Sequence, residues 1–160
     1  MTLAYVAIGS NLGRPVEQVA QAFEDLRSIA QSVLVKRSSL YRSEPLGYAE
    51  QPPFVNAVAL LDTALCAERL LEALQAIEAQ HGRSRSFANA PRTLDLDLLL
   101  YGDAVVDKPG LVIPHPRMHR RAFVLKPLLE IAAGIAIPGI GAAQTMLERC
   151  GEQSVERISG

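Results

Sequence analysis

The stretch that decides the fold is Pro91-Arg92-Thr93-Leu94-Asp95-Leu96-Asp97-Leu98-Leu99-Leu100-Tyr101. Its residues alternate, so an extended strand places the three leucines from Leu94 to Leu98 on one face and Asp95 and Asp97 on the other. With a rise of about 3.3 Å per residue, the two aspartate Cβ atoms lie roughly 6 to 7 Å apart. Carboxylates at that spacing can bind one hard cation, or two cations about 3.5 to 4 Å apart. The polar face is therefore either a simple solvated surface or a metal-binding surface.

Around this strand the hydrophobic pattern predicts an α+β fold. Strands are expected at Leu3–Ile8, Val33–Tyr41 and Phe54–Leu65, and helices from Pro15 to about Ala30 and over Ala67–Gln80, the latter ended by Gly82. With the aspartate strand as fourth strand, the order β-α-β-β-α-β predicts a ferredoxin-like core, an antiparallel-rich sheet with two helices on one face. C-terminal additions follow, including helices at Phe123–Ile131 and Ala142–Cys150. We expect residues 1–160 to form a single domain.

Composition narrows the class of protein. The net charge of -1 argues against a general nucleic-acid-binding protein, which needs excess cations. Lys126, Pro127, Glu130 and Pro138 interrupt the most apolar window, which argues against a membrane span. The amino terminus lacks a secretory pattern, and two lone cysteines require no disulfide framework. We expect a cytoplasmic protein without nucleic-acid or membrane partners.

Several polar residues are candidates for a site. The second predicted helix has a core stripe and a mixed stripe of Leu71, Gln75 and Glu78, which either lines a pocket or is ordinary surface. Arginines cluster at positions 83, 85 and 92 and again at 117, 120 and 121. His115 and His119 are four residues apart, but Pro116 and the lack of a third ligand make phosphate contact by His115 and Arg121 the better interpretation.

Six blocks in one order carry a resemblance to a known family. They are Gly9–Gly13, Tyr41–Gly47, Phe54–Ala57, Gly82-Arg83, Pro91–Asp97 and Pro114–Pro116. Together they resemble the 6-hydroxymethyl-7,8-dihydropterin pyrophosphokinases from Met1 to about Ile131. The resemblance implies transfer of the terminal diphosphate of ATP to the pterin hydroxymethyl group in folate biosynthesis, with release of AMP.

The resemblance also implies roles for individual residues. Asp95 and Asp97 would hold two Mg²⁺ ions, and the catalytic residues would be Arg83, Arg92 and Asp97. The ATP-binding positions would be Leu71, Gln75, Glu78, Arg85, Arg92, Leu98, Val112, His115 and Arg121. The pterin-binding positions would be Ser43, Leu46, Phe54, Asn56, Asp95 and Phe123, with Asn56 pairing to the heterocycle between the two phenylalanines. The partners would be these two small-molecule substrates, and the chain would be a monomer.

Three departures and two alternatives accompany this resemblance. Asn89 stands where the family often has a tryptophan, Glu44 replaces a common proline, and Gly110 replaces a basic nucleotide contact. One alternative is a different Mg²⁺-dependent nucleotidyl or phosphoryl transferase. The other is a ferredoxin-like RNA-binding module, whose Lys/Arg-Gly-Phe/Tyr motif this sequence lacks.

Overall fold

The structure, a computed structural model, describes residues 1–44, 52–82 and 94–159. Its strands are β1 (Thr2–Ser10), β2 (Ser32–Arg37), β3 (Leu40–Ser43), β4 (Phe54–Thr63), β5 (Asp95–Tyr101), β6 (Val106–Lys108), β7 (Leu111–Ile113), β8 (Ala136–Ile137), β9 (Gly141–Ala142) and β10 (Val155–Ser159). Its helices are α1 (Pro15–Arg27), α2 (Ala67–Gln80), α3 (Ala122–Ile131) and α4 (Ala143–Arg149), and a short 3-10 helix spans Met118–Arg120.

The main sheet is antiparallel throughout and has the order β10-β3-β4-β1-β5, with β2 also paired to β4. Its first four predicted strands are arranged as in a split βαβ unit. The ferredoxin-like α+β prediction is therefore confirmed. Helix α2 has the predicted bounds, and Gly82 follows it with a φ of 75°, a left-handed conformation that glycine adopts without steric cost.

The first core lies between one face of the sheet and helices α1 and α2. Leu94, Leu96 and Leu98 belong to it and are at most 5% exposed, together with Phe23, Leu70 and Leu74. The predicted alternation of the aspartate strand is thus confirmed, because the half-buried Asp95 and Asp97 lie on the opposite face.

A second core covers that opposite face. It joins Ala7, Val58, Leu99 and Leu100 to apolar residues of α3 and α4. A bulge in the β1–β5 ladder makes this possible, since Tyr5 pairs with Leu100 while Val6 pairs with Leu98 and leaves Leu99 as an extra residue. Both faces of the sheet are consequently covered. The sequence predicted these helices but not the face that they occupy.

The predicted strand Val33–Tyr41 is wrong in one respect, because the chain breaks into β2 and β3 at Ser38 and Ser39. Glu130 on α3 stabilises the break: its carboxylate accepts hydrogen bonds from the Ser39 amide (3.0 Å), the Ser39 hydroxyl (2.8 Å) and the Tyr41 hydroxyl (2.7 Å). Burial raises the pKa of Glu130, but these hydrogen bonds outweigh it and the net pKa is lowered. A partner about 90 residues away therefore fixes the end of a strand.

Candidate active site

The acid pair lies on strand β5, at the end of the sheet order. Asp95 pairs with Gly9, Gly9 pairs with Asn56, and Asn56 pairs with Tyr41. Because directly paired residues in an antiparallel sheet share a face, Asp95 and Asn56 lie on the same face with only Gly9 between them. The structure thus brings the predicted metal ligands and the predicted pterin partner together.

Glu78 fixes the outer edge of the acid strand. Its Oε2 atom accepts a hydrogen bond of 2.8 Å from the Leu96 amide, and the residue is 3% exposed. The surface interpretation of the mixed stripe is therefore wrong for Glu78, whose carboxylate satisfies a main-chain donor of a strand edge. It does hold for Gln75, which is exposed, while Leu71 packs against the first core.

Two cationic or ionisable groups predicted to contact phosphate lie near the acid pair. Arg121 is half-buried. Burial lowers its pKa, while the charges of Asp97 and Asp95 raise it. Burial and the neighbouring Arg121 and Arg117 lower the pKa of His115 to about 4. His115 is thus neutral at pH 7. Its Nδ1 atom accepts a hydrogen bond from the Arg117 amide at 3.2 Å, which assigns the ring proton to Nε2. Its Nε2–H group is consequently available as a neutral donor to an anionic ligand.

Three of the predicted pterin residues, Ser43, Phe54 and Asn56, also lie on the aspartate face of the sheet. Ser43 and Asn56 are 3% and 4% exposed, and the Ser43 hydroxyl donates to Asn56 Oδ1 at 2.5 Å. This bond orients the Asn56 amide. A Cβ atom on Gly9 would lie 3.3 Å from Asn56 Nδ2 and 3.9 Å from Phe54 Cδ1, so the missing side chain leaves room beside both groups.

A pocket of about 450 Å³ includes two predicted residues, Ser43 and Phe123. Its other lining residues are Glu44 and a C-terminal segment, Cys150 and Glu152–Val155, which the sequence did not predict as part of a site. Strand β10 carries this segment to the sheet edge, where Val155 pairs with Ser43. Only the β-branched Val155 and Ile158 hinted at a strand there, and local pattern could not name β3 as its partner.

The remaining predicted nucleotide contacts differ in exposure. Val112 on β7 is 39% exposed and accessible to a ligand. Leu98 is 5% exposed within the first core, so a nucleotide would meet its main chain rather than its side chain. Arg83, Arg85, Arg92 and Leu46 lie outside the described residues, and their roles stay predictions.

The donor set suits a hard cation. Within residues 1–44, 52–82 and 94–159, no group of three or more His, Cys, Asp or Glu side chains is arranged to hold a metal ion. Two carboxylates on one face supply only part of an oxygen coordination shell, and Mg²⁺ usually completes its shell with water and substrate phosphates. Asp95 and Asp97 therefore fit magnesium that arrives with a nucleotide. No helix of this described part of the chain is long and apolar enough to cross a membrane.

Comparisons with known proteins identify the family of this chain. Residues 5–133 match the family model for 7,8-dihydro-6-hydroxymethylpterin-pyrophosphokinase (HPPK). The chain is 47% identical over 156 residues to the 2-amino-4-hydroxy-6-hydroxymethyldihydropteridine pyrophosphokinase of Pseudomonas aeruginosa, covering 98% of this chain and 96% of that one. The protein of the same description from Haemophilus influenzae is 47% identical over 138 residues, 86% of each chain.

A solved structure agrees at the level of the fold. The HPPK-DHPS of Plasmodium falciparum with pterin and p-hydroxybenzoate has a TM-score of 0.73 at 13% identity; the match covers 92% of this chain and 43% of that one. These likenesses define a class, the ferredoxin-like pyrophosphokinases. The chain belongs to the 7,8-dihydro-6-hydroxymethylpterin-pyrophosphokinase family, as its sequence blocks predicted.

Proposed function

We propose that this pyrophosphokinase binds the magnesium-bound triphosphate of ATP through Asp95 and Asp97 and transfers the terminal diphosphate to 6-hydroxymethyl-7,8-dihydropterin. AMP leaves, and the reaction serves folate biosynthesis. One observation carries the assignment of residues: Asp95 shares a sheet face, across Gly9, with Asn56. A metal-bound phosphate chain and a planar heterocycle would therefore meet on a single surface.

On the nucleotide side, the chain supplies charge and directed hydrogen bonds. Arg121 is a half-buried cation within the field of both aspartates, and His115 offers a neutral Nε2–H donor. Partly desolvated donors of this kind interact strongly with phosphate because little water competes for them. Val112 and the main chain of Leu98 would border the adenosine. Gln75, which is exposed on α2, would make a weaker contact.

On the pterin side, the chain supplies an amide edge and aromatic faces. Asn56 is oriented by Ser43 and has both a donor and an acceptor, as the heterocycle requires. Phe54 and Phe123 would stack on the two faces of the ring. Leu46 would complete this pocket.

Transfer then depends on positioning and neutralisation more than on covalent help from the protein. Two bound Mg²⁺ ions would offset the charge of the triphosphate. Asp95 would also orient the pterin hydroxymethyl group, and Asp97 is the candidate to receive its proton, since both carboxylates face the shared surface. Arg83, Arg85 and Arg92 would contact the phosphates during transfer.

The metal assignment is tested with Asp95→Asn and Asp97→Asn, which keep side-chain size and remove the charge. We expect each to lower the rate of AMP formation by at least about a hundredfold, because a lost ligand leaves the metal under-coordinated. Asp103→Asn is the matched control, since Asp103 is exposed just after the same strand.

Near-normal turnover in either aspartate variant would overturn the metal assignment. Formation of ADP in place of AMP by the unaltered chain would instead indicate a different phosphoryl transferase. Product chromatography and titration of the rate with magnesium measure both outcomes.

We also propose that the chain acts as a monomer in the cytoplasm. Cys66 and Cys150 are free thiols, a state typical of a reducing compartment. Sedimentation of the purified chain at micromolar concentration tests whether it is a monomer.

A further inference from the structure

We propose that Gln153 is a positioning residue of the active site: it caps helix α3 from the C-terminal segment and so orients Arg121 and Phe123. The inference rests on the roles proposed above for those two residues. Gln153 itself lies more than 30 residues after α3 begins and is partly buried.

The amino terminus of α3 needs an outside partner. The first amides of a helix have no carbonyl within the helix to bond, and side chains at or near the N-cap usually satisfy them. The N-cap residue here is Arg121, whose side chain makes no capping hydrogen bond. Arginine has donors only and cannot satisfy an amide.

Gln153 supplies what Arg121 lacks. Its Oε1 atom accepts a hydrogen bond from the Ala122 amide at 2.9 Å, and its Nε2 atom donates to the Arg120 carbonyl at 2.8 Å. One side chain thus forms hydrogen bonds to the main chain on both sides of Arg121. Rotation of the α3 entry would break both bonds together.

The two hydrogen-bonded positions, Arg120 and Ala122, are the chain neighbours of Arg121 and Phe123, the residues proposed to contact ATP and the pterin. Ala122 is directly preceded by Arg121 and followed by Phe123, and the Arg121 guanidinium carbon lies 5.5 Å from the centre of the Phe123 ring. These residues therefore move with the helix terminus as one unit. A small change at the cap alters both the phosphate contact and the aromatic wall.

Gln153 is itself held in place by its neighbours along the chain. Val155, two residues later, is 7% exposed, pairs with Ser43, and accepts a hydrogen bond at its carbonyl from Lys126 Nζ at 3.0 Å. The C-terminal strand thus ties the cap to the pterin side of the pocket and to α3. Gln153 lines the same pocket as Ser43 and Phe123.

The test uses the full chain with Gln153→Met, which keeps side-chain length but removes both polar groups, and Gln153→Glu, which keeps the oxygen that accepts from Ala122. We expect the Met variant to raise the KM for hydroxymethyldihydropterin and for ATP about fivefold, equivalent to about 1 kcal/mol, the usual effect of a lost cap. The Glu variant keeps the acceptor for the Ala122 amide but cannot donate to the Arg120 carbonyl, so it should recover only part of this loss. Gln144→Met, at an exposed site on α4, is the matched control and should match the unaltered chain.

A merely structural role would lower the melting temperature and leave both KM values unchanged at 25 °C. The proposal is overturned if folded Gln153→Met has unaltered KM values, or if Gln153→Glu is as impaired as the Met variant. If the Met variant does not fold, raised KM values in Gln153→Glu, which loses the bond to the Arg120 carbonyl, support the proposal and unaltered ones overturn it. Lack of AMP formation by the unaltered chain would refute the proposed function instead, which separates the two failures.

Discussion

Gly9 shows how one residue can shape a site by having no side chain. It stands between the acid strand and the strand that carries Asn56, and an added Cβ atom would approach Asn56 Nδ2 to 3.3 Å. Such a contact is tighter than packed atoms normally adopt, so the amide would have to shift. The glycine is required by the neighbouring amide and not by its own backbone conformation.

Substitution of Gly9 by alanine tests this interpretation. We expect Gly9→Ala to raise the KM for the pterin roughly tenfold, within the usual cost of overpacking, and to change the KM for ATP little. Gly134→Ala is the matched control, since a Cβ there meets no atom within 4 Å. Steady-state kinetics with each substrate varied in turn provides the measurement, and an unchanged pterin KM would contradict the role of Gly9.

The lowered pKa of His115 predicts that the free energy of unfolding depends on pH. Its pKa is about 4 in the folded protein and about 6.5 when unperturbed, so the unfolded chain binds the additional proton between these values. The free energy of unfolding should therefore fall as the pH drops from 6.5 to 4, by at most about 3 kcal/mol, and this residue should contribute no slope above that window.

Urea unfolding at a series of pH values measures this slope. His115→Asn keeps an acceptor for the Arg117 amide without a titrating ring, so its stability should fall less steeply on the acid side. His119→Asn is the control for loss of a histidine and should retain the steep fall. Equal slopes in all three proteins would contradict the assignment of the slope to His115.

Among the elements, strand β5 joins the two layers of the protein. Glu78 on α2 accepts from its outer edge, and the His115 amide donates to the Leu99 carbonyl at 2.9 Å. The edge of a sheet normally exposes such groups, and here flanking elements satisfy them. The acid pair is therefore held on a strand whose outer edge is fixed at two points.

Removal of the first of these contacts should destabilise the strand. We expect Glu78→Ala to lower the free energy of unfolding by about 1–3 kcal/mol, because the buried Leu96 amide loses its acceptor. Glu72→Ala on the same helix is the control: its 3.0 Å ion pair with Arg69 is exposed, and its loss should cost less than about 0.5 kcal/mol. Chemical unfolding compares the two, and similar midpoints would count against the contact.

Element prediction from sequence succeeded where local pattern decides the structure. The alternation of leucine and aspartate in β5 and the bounds of α2 follow from residues that are neighbours in the chain. The break between β2 and β3 depends on Glu130, and β10 depends on pairing with β3 more than 100 residues earlier. Local periodicity contains no information on such distant partners. For the same reason the family resemblance named Ser43 and Phe123, while Gln153 emerged only from the contacts.

At the scale of the whole molecule, one sheet separates two cores that pack different helices. The first core packs α1 and α2, and the second packs α3, whose amino terminus carries Arg121 and Phe123. Stability should depend on both cores, whereas the pterin pocket should depend mainly on the second.

Leu70→Ala and Leu125→Ala compare these cores, since each leucine is 0% exposed in its own core. We expect each to cost about 2–5 kcal/mol of stability, as for other large-to-small core substitutions. At a temperature where both variants are folded, Leu125→Ala should also raise the pterin KM. Thermal unfolding and kinetics together provide the measurement. A pterin KM that is raised more in Leu70→Ala than in Leu125→Ala would contradict the expectation that the pocket depends mainly on the second core.

The extra residue at Leu99 lets strand β5 carry both the acid pair and two leucines of the second core on the same side. Before it, the side of the sheet under α3 carries Asp95 and Asp97, and from it onward the same side carries Leu99 and Leu100, because the bulge interrupts the regular alternation of side chains. If the strand alternated regularly without this bulge, Asp95 and Asp97 would stay where they are, but Leu100 and Tyr101 would turn to the wrong sides. The proposed reaction surface and part of the second core thus occupy one side of one strand, and the extra residue between them shifts the alternation by a single position.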